Sequence, residues 1–238
     1  MIVLEICVDS AAGIEAARKG GADRIELCSA LALGGLSPGH ALMVLAARAG
    51  VPVMAMIRPR AGDFVWSDPE VEAMSAEIDA VRKVGLAGIV IGASRPDGRL
   101  DTRTLERLVA TAAGLEITLH RAIDIAPDPI EALAICRDLG IGRVLSSGGA
   151  ATAVDGLDRL VAMQKGSDVT IMPGGGVSVA TLPALAARLA ITEIHASCAM
   201  PLPPPSDPRI TEFGFRPRDA RETDVTTVAD LRRALDQL

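Results

Sequence analysis

Apolar residues in this chain fall into short runs separated by longer segments with a different rhythm. The runs at Ile2–Cys7, Arg24–Cys28, Pro52–Arg58, Gly88–Gly92, Glu116–His120, Arg143–Ser147, Val169–Pro173 and Glu193–Ser197 predict eight β-strands. Between them, Ala- and Leu-rich segments such as AAGIEAARKG, DPEVEAMSAEIDAVRKVG, DTRTLERLVATAAG and DPIEALAICRDLG carry apolar positions at helical spacing. Several open on a capping residue or an Asp-Pro pair, as in SDPE, LDTRT and PDPIE, and most close on glycine. The helix-to-strand junction recurs as KGGADRIEL, VGLAGIVIG and LGIGRVLSSG, and loses its glycine in RLAITEIHAS before strand eight.

Strand starts lie 22 to 36 residues apart. Eight strand–helix units at that spacing predict an α/β fold of the TIM (β/α)8 type, one domain over residues 1–238, with strands short and apolar because both faces are covered. An open, doubly wound sheet fits less well. The GGG at 174–176 follows strand seven rather than strand one and is not a G-x-G-x-x-G fingerprint. The last unit is irregular: residues 201–227 form a Pro-, Arg- and Asp-rich loop holding two of the three Phe, a reason for it to fold over one mouth of the barrel, and a final amphipathic helix is expected at 228–238.

Composition narrows the classes. Hydrophobic residues make up 49% and charged residues 23%, enough apolar material for a packed core. With one Trp, three Phe and no Tyr, the chain lacks rings for stacking bases, and its net charge of −6 comes without a basic stripe, which argues against nucleic acid. The start, MIVLEICVDS, is strand-like rather than a signal peptide, and no apolar run approaches the ~20 residues of a membrane span. The expectation is a soluble cytoplasmic protein whose Cys7, Cys28, Cys136 and Cys198, with no CxxC among them, are thiols.

Function in such barrels gathers at the C-terminal ends of the strands. Strand one brings Glu5, Cys7 and Asp9 there, and strand two Glu26, Cys28 and Ser29. Strand three brings Arg58, Arg60 and Asp63, strand four Gly92 and Ser94, and strand five His120, Arg121 and Asp124. Ser146 and Ser147, three glycines after Pro173, and His195 with Ser197 complete the ring. Glu5 and Glu26 share strand parity with Cys7 and Cys28, so all four face the barrel axis together, and Arg58 is the expected counter-charge.

Three readings of this ring stand side by side. Cys7 and Cys28 end adjacent strands about 5 Å apart and suit Cu(I), with Met54 and Met56 as further sulfur donors. Alternatively, an enzyme acts on a small anionic ligand. Arg58 or Arg60 then clamps a carboxylate or phosphate, Ser147, Gly148, Gly174, Gly175 and Gly176 offer backbone N–H groups, and Glu5, Glu26, His120 and Asp124 supply acid–base chemistry. In the third reading the charges form a structural layer inside the barrel. No Ser-His-Asp pattern or HExxH motif supports a hydrolase.

The stretches LEICVDS, GGADRIELCSAL with the following GGLSP, IRPRAGDFVWSD, TLHRAID, RVLSSG, IMPGGGV, EIHAS and TDVTTV together resemble the CutC family, in order and over nearly the whole chain. The resemblance implies a TIM-barrel-like fold and a cytoplasmic homodimer or larger assembly linked to copper homeostasis, with Cys7 and Cys28 as Cu(I) ligands and no organic cofactor. It also retains Glu5, Glu26, Arg58, Arg60, His120, Arg121 and Asp124. Leu119 and Ile123 stand where the family often has Phe, and Trp66 lies near a usual Tyr; none of these removes a candidate ligand.

Overall fold

The computed structural model describes residues 1–238. Eight parallel strands form the inner wall: β1 (Val3–Val8), β2 (Arg24–Leu27), β3 (Val53–Met56), β4 (Gly88–Ile91), β5 (Glu116–Leu119), β6 (Arg143–Ser146), β7 (Thr170–Pro173) and β8 (Glu193–Ala196). From β1 to β7 each strand pairs with the next in sequence, and β8 returns to pair with β1 through Val3↔Glu193 and Glu5↔His195. β7 and β8 lie side by side without a hydrogen-bonded ladder, so the TIM-type barrel is nearly rather than fully closed.

Seven helices alternate with the strands: α1 (Ala11–Gly20), α2 (His40–Ala46), α3 (Asp68–Val84), α4 (Thr102–Thr111), α5 (Pro129–Asp138), α6 (Leu157–Gly166) and α7 (Leu182–Ala186). The predicted caps are in place. The Ser10 hydroxyl accepts from the Gly13 N–H, Ser67 and Glu70 form a reciprocal capping box on α3, and Asp128 caps α5 in front of Pro129. No helix is long and apolar enough to cross a membrane.

Strand alternation sorts the side chains. On β1, Leu4, Ile6 and Val8 point outward into the main core between strands and helices, while Glu5 and Cys7 are buried but stand apart from that core. A separate cluster of Cys28, Met54, Met56 and Val90 fills part of the barrel interior. The interior is thus a mixed layer of sulfur, charge and small apolar groups.

The chain departs from expectation after β8. Residues 201–227 do not form a simple loop: β9 (Ala199–Pro201) and β10 (Arg221–Thr223) make an antiparallel ribbon that encloses a short helix, α8 (Arg209–Glu212). The ribbon lies at the C-terminal end of β1, where Thr223 Oγ1 donates to the Cys7 carbonyl at 3.4 Å and Ser10 Oγ donates to Glu222 at 3.2 Å. The last helix, α9, spans Val225–Leu235 rather than 228–238, because Asp224 caps it from the Thr227 N–H. It takes the eighth outer position, against α1. The approach is close: a Cβ on Gly20 would sit 2.4 Å from Val228 Cβ. Arg232 pins the junction through Asp23 at 2.7 Å and the Ile2 carbonyl at 2.9 Å.

Candidate metal centre in the barrel mouth

Three neighbouring strands build the centre. The register sets Glu5 opposite Arg24 and His195, and Cys7 opposite Glu26, so all five side chains share the inward parity. Glu5 is fully buried, and Arg24, Glu26, Cys7 and His195 are each at most 8% exposed.

Glu5 organises the lower half. Its Oε2 accepts from Arg24 Nε, whose Nη2 also donates to Glu193; Glu193 in turn accepts from Arg143 Nε. Two guanidiniums and two carboxylates thereby neutralise one another inside the wall. The predicted partner of Glu5 and Glu26 was Arg58, and this is corrected: Arg24 holds Glu5. Arg58 points into the β2–α2 and β3–α3 loops, where it donates to the carbonyls of Leu33, Gly35 and Gly62. Arg24 sits at the start of β2, one turn of the pleat below Glu26, and reaches Glu5 on the next strand directly.

The upper half is the possible ligand set. Glu5 Oε1 lies 2.8 Å from His195 Nδ1, which fixes the imidazole and turns Nε2 toward Glu26 Oε2 at 3.8 Å. Ligand atoms of Cys7, Glu26 and His195 all lie within 4.8 Å of one another. The Cys28 thiol donates to Glu26 Oε2 at 3.6 Å, which leaves Glu26 Oε1 buried with no partner.

The electrostatics follow from burial and neighbours. Burial works against ionisation of Glu5, but the His195 hydrogen bond and Arg24 outweigh it and hold its pKa down to about 2. Glu26 moves the other way: burial raises it, His195 opposes, and the Glu5 charge pushes it further up. Burial disfavours a charged His195, yet Glu26, Cys7 and Glu5 together raise its pKa well above 6.5. Burial and the adjacent Glu26 also keep the Cys28 thiol protonated, its pKa well above 9.

A thiol, an imidazole and a carboxylate converging in a dry pocket suit a soft or borderline metal ion. The Glu5–His195 pair matches the arrangement in which an outer carboxylate orients a histidine and fixes its tautomer for a metal. The unpartnered Glu26 oxygen is a buried acceptor left without a donor. These residues fit a metal.

Comparison with known proteins places the fold and the site in context. Residues 2–200 match the profile of the CutC family. The chain belongs to the CutC family. A CutC family protein of Rhizobium meliloti (strain 1021) is 52% identical over 238 residues, covering 99% of this chain and 96% of its own. One from Caulobacter vibrioides (strain NA1000 / CB15N) is 48% identical, with 100% and 98% covered. A solved structure described as a candidate copper homeostasis protein CutC from Streptococcus agalactiae superposes with a TM-score of 0.79 at 26% identity, covering 83% of this chain and 99% of that one.

The other residues singled out in the sequence are distributed around the rest of the mouth of this CutC family barrel. Arg60 is bound to Glu70 at 2.5 Å and Asp63 at 3.0 Å and lies over the Trp66 ring, so its partners belong to the β3–α3 loop and the first turn of α3. Asp124 accepts from Ser146 Oγ at 2.6 Å, the Ser147 and Gly149 N–H groups, and Arg121 Nε at 2.7 Å, so the N–H groups of the SSGG turn face an internal carboxylate. Gly148 gives its N–H to Ser146 Oγ and must be glycine: its φ is +72°, and a Cβ would lie 2.1 Å from the Gly156 carbonyl oxygen. Gly174 donates to the Ser146 carbonyl, and Gly175 and Gly176 both adopt positive φ beside it. His120 ends β5 across the barrel from His195. Sequence reasoning gave no role to Arg24, Glu193, Arg143 or His195. The signal for His195 was present in its parity: once strand eight closes on strand one, EIHAS sets His195 against Glu5.

Proposed function

We propose that this protein binds Cu(I) in the mouth of its barrel and handles copper in the cytoplasm. The observation that carries the reading is the convergence of Cys7 Sγ, His195 Nε2 and a Glu26 oxygen on one buried point, with Glu5 bracing the histidine from behind. Cys7 and His195 supply a soft sulfur and a nitrogen, and Cys28 is the second thiolate, one strand away on the far side of Glu26. The affinity of the chain for the CutC family, and the copper homeostasis role named for the Streptococcus agalactiae relative, support copper over other soft ions. All four cysteines are free thiols, the state a cytoplasmic Cu(I) site requires.

In this reading the chain's own residues divide the work. Glu5 keeps the His195 Nδ1 proton in place so that Nε2 is the ligating atom. Glu26 holds the Cys28 thiol by a hydrogen bond at 3.6 Å, and the outer apolar core keeps bulk water away. Anaerobic titration of Cu(I) against a competing chelator tests it. Wild type should take up one Cu(I) per chain, Cys7→Ser/Cys28→Ser should lose it, and His195→Gln should weaken it at least tenfold. Binding indifferent to all three substitutions would overturn the reading.

A further inference from the structure

The β1–β2–β8 centre leaves the opposite side of the mouth unexplained. Three side chains there, from the ends of β3, β4 and β5, are more than nine-tenths buried and each keeps a polar atom with no partner: Arg58 Nε, Ser94 Oγ and His120 Nε2. Phe64 links all three, His120 and Arg58 through its ring and Ser94 through its backbone carbonyl. The Phe64 ring lies 4.6 Å from the His120 ring and 5.2 Å from Arg58 Cζ, and the Phe64 carbonyl accepts from the Ser94 N–H at 2.8 Å.

All three can donate. Arg58 is the decisive one. The two buried arginines of the molecule are Arg24 and Arg58; Arg24 contacts two carboxylates, whereas Arg58 contacts none and bonds only to three carbonyl oxygens. A buried guanidinium without a counter-anion is costly, and such charges are ordinarily paired. His120 accepts the Ala122 N–H on Nδ1 at 3.1 Å, so its proton is on Nε2, a second donor without an acceptor. Burial and the Arg58 charge hold its pKa down to about 3, so it meets a ligand as a neutral N–H rather than as an imidazolium. The ring is also held in place: a Cβ on Gly92 would lie 2.2 Å from His120 Cε1, so only glycine leaves room for it.

We propose that Arg58, Ser94 and His120 form a second site, beside the copper centre, for the oxyanion group of a small metabolite, with Phe64 as its roof. One fixed positive charge and two neutral donors match a carboxylate or a phosphate, which supplies only acceptors on the oxygens they would meet. The Asp124 carboxylate, by contrast, satisfies its own donors around the β6 turn and is not part of this site.

Metal-free, full-length protein titrated by calorimetry with inorganic phosphate and, separately, with oxalate tests the proposal. At least one probe should bind with a dissociation constant below about 1 mM and raise the melting temperature. Binding of phosphate alone assigns a phosphate ester, and binding of oxalate alone a carboxylate. Ser94→Ala and His120→Leu should each weaken the bound probe at least tenfold while leaving Cu(I) stoichiometry unchanged. These variants remove one donor each and spare the loop bonds that Arg58 makes, so they keep the test intact if Arg58→Met fails to fold. The proposal is overturned if neither probe binds more tightly than about 10 mM, or if both variants bind as wild type does.

Discussion

Glu5→Gln removes the charge on which the barrel interior turns. In the folded protein the Glu5 pKa falls from 4.5 to about 2, a difference on the order of 3 kcal/mol at neutral pH. The sign follows from the direction. A carboxylate with a depressed folded pKa stabilises the fold above its unfolded pKa, and the contribution drains away as pH falls from 4.5 toward 2. Linkage then leaves less than half of the contribution at pH 3. Urea unfolding of wild type and Glu5→Gln, followed by circular dichroism from pH 7 to pH 3, reads the loss of the Glu5 charge together with the response of His195 and Glu26, whose protonation it biases. The variant should be about 3 kcal/mol less stable at pH 7, with the gap closing by more than half at pH 3. A gap under about 1 kcal/mol at pH 7, or one that does not narrow with acid, would refute the argument that Glu5 is ionised and holds Arg24 and His195.

Three further outcomes rest on separate features. Asp124→Asn should lower stability by about 3 kcal/mol at pH 7 and less in acid, since a neutral amide cannot serve Arg121, both serines and the Gly149 N–H at once; urea titration at two pH values checks it. Gly88→Ala should cost about 3 kcal/mol by thermal unfolding, because its Cβ would come within 2.3 Å of the Glu116 carbonyl oxygen and 2.5 Å of Met54 Cε. Gly20→Leu should lift α9 off α1 and speed limited proteolysis after residue 200 severalfold, with the barrel strands still protected from hydrogen exchange.

How much of this was readable in the sequence depends on the range of the interaction involved. The strands were legible within a residue or two because each is a local apolar run, and the inward facing of Glu5, Cys7, Glu26 and Cys28 followed from period-two alternation alone. Partner choice was not legible. Whether Glu5 meets Arg24 or Arg58 is decided by β1–β2 register and by side-chain reach, neither of which is written in either segment. The β9–β10 ribbon escaped notice because strands of three residues, one ending in proline, carry no alternation to detect. The start of α9 was missed for a different reason. Val225, Thr226, Thr227 and Val228 are β-branched and poor helix formers, so the Asp224 cap was the only local signal for a helix that tertiary packing completes.

The seating of α9 against α1 bears on how the polypeptide is assembled over time. Nothing made early can finish until something made late has arrived: the outer face of the first βα unit, with Gly20 at the end of α1, stays bare until residues 225–235 emerge. β1 likewise lacks its second neighbour until β8 exists. Synthesis at roughly 5–20 residues per second would leave these surfaces uncovered for on the order of ten seconds or more. The amino-terminal unit of this barrel is therefore the segment most dependent on protection during translation, and a nascent chain stalled before Asp224 should be held by chaperones rather than folded.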